Sequence, residues 1–253
     1  MKTVTENIIE VEMLVKKFGD FTACRDLTFE VKKGEIFGFL GANGAGKTTA
    51  IKILCGLWKP TSGKALVAGF DVYTETNKIK KNIGYMSQKF SLYEDLTPVE
   101  NIRFFGGIYG LSRNLIKEKT ALALHELGLE EVKDRPVSAL PLGWKQKLAF
   151  TVAMLHEPKI VFLDEPTGGV DPITRRQFWN MIYQAAHRGI TIFVTTHYMD
   201  EAEYCDRVSI MVDGEIKALD TPDKLKEMYE SQTMNEVFLK LARNQAKGVR
   251  REA

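Results

Sequence analysis

Two hydrophobic periods alternate along the chain. Residues 8 to 14 and 26 to 31 read as short strands, and Leu27-Thr28-Phe29-Glu30-Val31 alternates apolar and polar as a strand with one buried face does. Lys32-Lys33-Gly34 turns the chain into the unalternating apolar run Ile36-Phe37-Gly38-Phe39-Leu40. A helix is expected over Thr49 to Leu57, and Lys59-Pro60-Thr61-Ser62-Gly63 breaks the chain after it. Residues 64 to 68 and 82 to 86 read as strands, the second running into Ser87-Gln88. From about 89 to 155 the pattern becomes helical. Thr97-Pro98-Val99-Glu100 has the polar start, proline and acidic first turn of a helix. Further helices are expected over 112 to 127 and from Trp144 to Leu155, with Pro136 and Pro141 punctuating the stretch between them.

Strand character resumes at Lys159-Ile160-Val161-Phe162-Leu163-Asp164-Glu165. Its apolar run lacks alternation, as in a strand covered on both faces, and Pro166 stops it. A helix from Pro172 to about Ala186, a strand over Thr191 to Thr195, a short helix and a strand over Arg207 to Val212 follow. Asp213-Gly214 reads as a hairpin turn before a strand at Ile216 to Leu219. Strands alternating with helices imply a mostly parallel sheet that meets its ligands at the strand ends. The expected fold is α/β: a core with a mostly parallel sheet, an N-terminal antiparallel β layer and an inserted helical lobe. Within one unit spanning 1–253, residues 1–88 and 156–230 form the core, 89–155 the helical insertion and 231–253 a helical tail. Met234, Val237, Phe238 and Leu241 share one face of that tail, which suits packing on the core or docking of a partner.

Composition narrows the classes. A chain of 253 residues accommodates one large domain, or one domain with a small lobe. With 35 basic and 33 acidic residues, a net charge of +2 supplies no bulk attraction for nucleic acid, and no nucleic-acid partner is expected. The three cysteines, Cys24, Cys55 and Cys205, have neither metal-site nor redox spacing, so a reducing compartment is the default. Met1-Lys2-Thr3-Val4-Thr5-Glu6 does not open a signal peptide, and no apolar run approaches the ~20 residues of a membrane helix.

The densest chemistry lies at Gly41-Ala42-Asn43-Gly44-Ala45-Gly46-Lys47-Thr48, with Thr49 opening the helix. A strand, a glycine-rich turn and a helix whose first turn holds Lys and Thr form a Walker A arrangement, which makes the core that of a P-loop NTPase. Backbone N–H groups of such a loop cradle phosphate oxygens, Lys47 reaches the β- and γ-phosphates, and Thr48 offers its hydroxyl oxygen to Mg²⁺. Asp164 and Glu165 close a buried strand, Asp164 as a Mg²⁺ partner and Glu165 placed to polarise an attacking water. His197 ends the next strand and could hold the γ-phosphate and orient that water. Gln88 also follows a strand and could see Mg²⁺ or the water. Phe18, before Gly19-Asp20, reads either as a stacking surface for an adenine ring or as a plain hairpin aromatic.

In this order and spacing, over nearly the whole chain, these segments resemble the nucleotide-binding subunits of ATP-binding cassette (ABC) transporters. The resemblance makes Phe18 the adenine-stacking aromatic, 41–48 the Walker A loop, Gln88 the Q-loop glutamine, and Asp164 and Glu165 the Walker B end with its catalytic glutamate. It makes Gly169-Val170-Asp171 the D-loop, His197 the switch histidine and Leu140-Pro141-Leu142-Gly143-Trp144 the signature. ATP and Mg²⁺ are the implied ligands. In the family two such domains pair head-to-tail, each ATP lying between one Walker A loop and the other domain's signature helix. Glu35 to Gly44, His197-Tyr198-Met199-Asp200-Glu201-Ala202-Glu203 and the 234–241 tail resemble ATPase subunits of ABC-2-type exporters. Those work with a separate membrane permease on the cytosolic face of the cell membrane. For such a partner, Tyr85, Met86, Phe90, Leu92, Tyr93, Phe104 and Phe105 are candidate contacts.

The signature departs from the family's Leu-Ser-Gly-Gly-Gln. Pro141 brings neither hydroxyl nor N–H, and Leu142 is bulkier than glycine. The helix start, Gly143 and the charge of Lys145 remain as phosphate partners. The alternatives to an exporter subunit are an ABC-type ATPase acting on DNA or the ribosome, and a regulatory nucleotide-binding module with little turnover.

Overall fold

The structure, a computed structural model, describes residues 6–88 and 91–249. Two sheets form its centre. Strands β1 (Asn7–Phe18), β2 (Phe21–Lys32), β4 (Ser62–Val67) and β5 (Phe70–Asp71) make an antiparallel layer in the order β2-β1-β4-β5. Strands β3 (Ile36–Gly41), β6 (Ile83–Met86), β7 (Ile160–Asp164), β8 (Thr191–Thr196), β9 (Arg207–Val212) and β10 (Glu215–Asp220) make the second, in the order β10-β9-β3-β8-β7-β6. This sheet is parallel except for β10, which returns antiparallel on β9. The α/β core with an antiparallel N-terminal layer is as the sequence pattern predicts.

The unalternating runs are explained by what covers them. Phe37, Phe39, Phe162 and Phe193 face the N-terminal layer and helix α1 (Lys47–Leu54), where Phe29 stacks on Phe37 at 5.7 Å between ring centroids. Ile36, Leu40, Val161, Leu163, Ile192 and Val194, on the opposite face of the same strands, pack against helices. Those helices include α5 (Leu142–Met154) and α6 (Pro172–His187), which contribute Leu148, Phe178 and Trp179. With both faces covered, successive positions along these runs are apolar and the period disappears.

The elements described between β6 and β7 are helical: α3 (Pro98–Ile108), α4 (Arg113–Leu127), two short 3-10 turns and α5. Thr97 and Glu100 form the reciprocal capping box of α3, and Ser112 caps α4. Two further helices, α7 (Pro222–Met228) and α8 (Met234–Val249), end the described chain. Met234, Val237 and Leu241 are buried against the helical side of the core, so the stripe on the tail is a packing face.

Several sequence expectations are corrected. Strands β1 and β2 are 12 residues each and form one hairpin, because register shifts around Val11, Leu14 and Lys16 break the period-two signal. Phe18 is the last residue of β1, paired with Phe21 across the hairpin turn. The sequence pattern does not announce β5 or α2 (Thr76–Asn82); α2 buries only Ile79, too little for a helical period. Helix α5 begins at Leu142, with Pro141 at its N-cap position and no side-chain cap. Of the candidate partner contacts, Met86 and Leu92 belong to the core, while Phe90 lies outside the described residues. Tyr93, Phe104 and Phe105 form a partly exposed aromatic cluster, with Tyr93 and Phe104 edge-on at 4.9 Å. Among the described residues no helix is long and apolar enough to cross a membrane.

Candidate functional site

The parallel register assembles the site. Leu40 of β3 lies opposite Thr196, Thr195 opposite Asp164, and Leu163 opposite Met86. The residues just past these strand ends, the loop from Gly41, His197, Glu165 and Gln88, therefore stand side by side along one edge of the sheet. This is the edge at which an open parallel sheet binds ligands.

There the chain encloses a cavity of 350 Å³ lined by Asn43, Gly44, Gly46, Lys47, Thr48, Thr49, Gln88 and Glu165, with Phe21 and Ala23 from β2. Gly41 and Ala45 act from behind it. The Gly41 carbonyl accepts from Lys47 Nζ at 2.8 Å, and the Ala45 carbonyl accepts from the Gly214 N–H at 3.1 Å. The loop needs glycine at Gly46, whose φ is +107° and whose added Cβ would fall 2.2 Å from the Ala23 carbonyl oxygen. Helix α1 opens onto the cavity with no side chain capping it, leaving its first N–H groups available to phosphate oxygens.

The charged groups converge. Lys47 Nζ is buried, 3.0 Å from the Ala42 carbonyl and 3.2 Å from Glu165 Oε1. Glu165 Oε2 accepts from Gln88 Nε2 at 3.0 Å and meets His197 Nδ1 at 2.9 Å. Its backbone sits at φ +50°, held by its N–H donating to both the carbonyl and the hydroxyl of Thr195 at 3.1 Å. Asp164 is 1% exposed, and its Oδ1 accepts from the hydroxyls of Thr195 at 2.7 Å and Thr48 at 3.3 Å. Burial raises the Asp164 carboxyl above its ordinary range, and those two hydroxyls and Lys47 only partly offset it.

These residues fit a magnesium triphosphate. Thr48, Asp164, Gln88 and Glu165 present hard oxygen donors, which suit Mg²⁺. Among the described residues no three His, Cys, Asp or Glu side chains cluster as a metal site.

The remaining predicted residues stand elsewhere. Leu142, Gly143 and Trp144 line a second cavity, of 250 Å³, with Lys147, Gly169, Asp171 and Thr174. It shares no lining residue with the first. Asp171 is the N-cap of α6, its Oδ1 accepting from the N–H groups of Ile173 and Thr174 at 3.0 Å each. The cation facing this cavity is Lys147, whereas Lys145, the residue singled out from sequence, pairs with Glu94 at 2.9 Å. Phe18 is not among the residues lining the first cavity. Its ring packs edge-on against Trp58 at 5.3 Å, and the aromatic on the lining is its hairpin partner Phe21. Sequence reading missed Phe21, Thr195 and Lys147. The hydroxyl closing the apolar run of β8 was the available signal for Thr195.

Residues 24–168 match the ABC transporter family. The chain is 49% identical over 244 residues to "Probable multidrug ABC transporter ATP-binding protein YbhF" of Escherichia coli, an alignment covering 94% of this chain and 42% of that protein. The chain thus spans less than half the length of that relative. It is 37% identical to "Linearmycin resistance ATP-binding protein LnrL" of Bacillus subtilis, covering 86% of this chain and 70% of the other. A solved structure described as an ATP binding subunit of an ABC transporter superposes with a TM-score of 0.83 at 29% identity, covering 92% of this chain and 99% of that one.

Proposed function

The chain belongs to the ABC transporter family, and from that premise we propose that it is an ATP-hydrolysing subunit powering export of a solute through a separate ABC-2-type membrane permease. The observation that carries this reading is the convergence of Lys47, Gln88 and His197 on the one carboxylate of Glu165, at the rim of a glycine-rich phosphate cavity.

In this reading the loop N–H groups hold the β-phosphate and Lys47 spans the β- and γ-oxygens. Thr48 and Asp164 would hold Mg²⁺, which would supply charge neutralisation for the transferring phosphoryl group. Glu165 accepts a hydrogen bond from the attacking water and aims it in line. His197, with its proton on Nδ1, donates to Glu165 Oε2 and keeps that carboxylate turned toward the water; Gln88 does the same from the helical side. The base lies against Phe21, the hairpin aromatic on the cavity lining.

The separation of the two cavities supports a head-to-tail pair with a second nucleotide-binding subunit, whose signature helix completes each site. Trp144, Gly143 and Lys147 then stand in for the signature serine. Helices α3 to α5 form the helical lobe that moves with Gln88, and the cluster Tyr93, Phe104 and Phe105 is the seat of the permease on the cytosolic face of the membrane. Export is supported by the names of the two curated relatives, one a multidrug transporter component and the other a linearmycin resistance protein.

Two measurements test this. Phosphate release by the wild type should fall about 10²- to 10⁴-fold in Glu165→Gln, and an equal rate in both removes Glu165 from its role. Purification of the tagged chain from native membranes should recover a polytopic membrane protein in stoichiometric amount. Recovery of ribosomal or nucleic-acid partners alone would end the transport reading.

A further inference from the structure

Between the loop that leaves Glu165 and the turn that leaves His197 lies a buried acid used by neither cavity. Glu201, on the 3-10 turn Met199–Tyr204, has no exposed surface. Its Oε1 accepts a 2.5 Å hydrogen bond from the hydroxyl of Thr167, itself buried in the loop after β7. Arg175 of α6 brings Nε to 3.7 Å from the same oxygen, beyond hydrogen-bond length, and Glu201 Oε2 has no hydrogen-bond partner among the described residues. The Arg175 guanidinium also lies 4.4 Å over the ring of Tyr198 and reaches Asp200 at 3.3 Å. Tyr198 in turn packs on His197, with ring centroids 4.2 Å apart.

Burying a carboxylate with an unmatched oxygen is destabilising, and an apolar side chain of similar volume fills such a space without that cost. Its neighbours suggest what it does. Glu165 and His197 meet at 2.9 Å but leave different strands, and Glu165 is held at φ +50°, a conformation that persists only when its surroundings enforce it.

We infer that Glu201 is a positioning residue for hydrolysis: through Thr167 it ties the Glu165 loop to the His197 turn, and through Arg175 and Tyr198 it sets the His197 ring. This rests on the hydrolytic reading of the site given above.

The test measures steady-state phosphate release, ATP affinity and thermal midpoint together for wild type, Glu165→Gln, Glu201→Ala, Thr167→Val and Thr167→Ser. Glu201→Ala and Thr167→Val should each lower kcat about 10- to 100-fold while KM and ATP Kd stay within about threefold. Thr167→Ser returns the hydroxyl and should restore the rate. The double variant Glu201→Ala/Thr167→Val should be no slower than the slower single one, since both break the same link. Thr167→Val is nearly isosteric, so the Val/Ser pair decides the matter if Glu201→Ala does not fold. Wild-type kcat in Thr167→Val, or losses that follow the folded fraction alone, would overturn the inference. A wild type no faster than Glu165→Gln overturns the hydrolytic reading and this inference with it. If the wild type hydrolyses, Glu165→Gln does not, and the Thr167 and Glu201 variants keep their rate, this inference falls by itself.

Discussion

Replacing Gly46 by alanine separates two things glycine does in the phosphate loop. The first is conformational: at φ +107° a side chain is strained wherever it points, at about 1–3 kcal/mol. The second is steric. The new Cβ would lie 2.2 Å from the Ala23 carbonyl oxygen on β2 and 2.7 Å from Met211 Cε on β9. An ordinary C···O contact is about 3.3 Å, so loop and strand must part by about 1 Å. Methionine can turn aside, but the Ala23 carbonyl is backbone within a sheet and cannot. The loop N–H groups then move off the phosphate positions, and a misplacement of about 1 Å costs on the order of 10²-fold. Gly44 and Gly128 are the controls, with φ of +83° and +63° and nothing within 4 Å of an added Cβ. Gly128→Ala, at the end of α4 and far from the cavity, should lower stability by about 1 kcal/mol and leave ATP binding unchanged. Gly44→Ala should show strain alone, and Gly46→Ala should weaken Mg-ATP by about 10²-fold in calorimetric titration. ATP affinity in Gly46→Ala within about threefold of wild type, or equal losses in Gly44→Ala and Gly46→Ala, would refute the steric reasoning.

Asp164→Asn should raise the thermal midpoint at neutral pH while abolishing Mg²⁺-dependent phosphate release. Burial raises the folded-state carboxyl above its ordinary value of 3.8; the wild type therefore loses stability as pH rises from there through the folded value, and the advantage of the amide variant should vanish in acid. Glu35 accepts from Arg207 Nε at 2.5 Å, from a second guanidinium nitrogen at 3.0 Å and from the Lys32 N–H at 2.7 Å. Glu35→Ala should cost about 3 kcal/mol in denaturant titration, by stranding Arg207, with ATP affinity intact. Phe21→Ala should weaken ATP by up to the 1–3 kcal/mol typical of base stacking and leave tripolyphosphate binding unchanged, whereas Phe18→Ala, off the cavity lining, should leave ATP affinity within about threefold of wild type. A loss of ATP affinity in Phe18→Ala and none in Phe21→Ala, read by competition titration, would refute that assignment.

Much of the fold was legible because its signals are local. The bare apolar runs at 36–40 and 160–163 announce strands covered on both faces, and Thr97 with Glu100 announces the start of α3. Legibility failed where the period was interrupted or too short, at the bulged β1–β2 hairpin and at α2 with its single buried Ile79. At the signature, the pattern points to a helix start at Trp144 and the helix starts at Leu142, since Leu142 itself is exposed and adds nothing to an apolar stripe.

From the sequence alone came the phosphate loop and the Asp164-Glu165 strand end, because each is built from contiguous residues whose spacing is the chemistry. Tertiary structure alone decided which distant groups meet. The order β3-β8-β7-β6 brings Gly41, His197, Glu165 and Gln88 to one edge. The pairing of β1 with β2 puts Phe21 on the cavity, and the turn of α5 sends Lys145 to Glu94 and Lys147 to the signature cavity. The burial of Glu201 beside Thr167 likewise joins residues 34 apart in the chain. Such contacts depend on strand order and helix rotation, which are properties of the packed whole and leave no periodic trace in the chain.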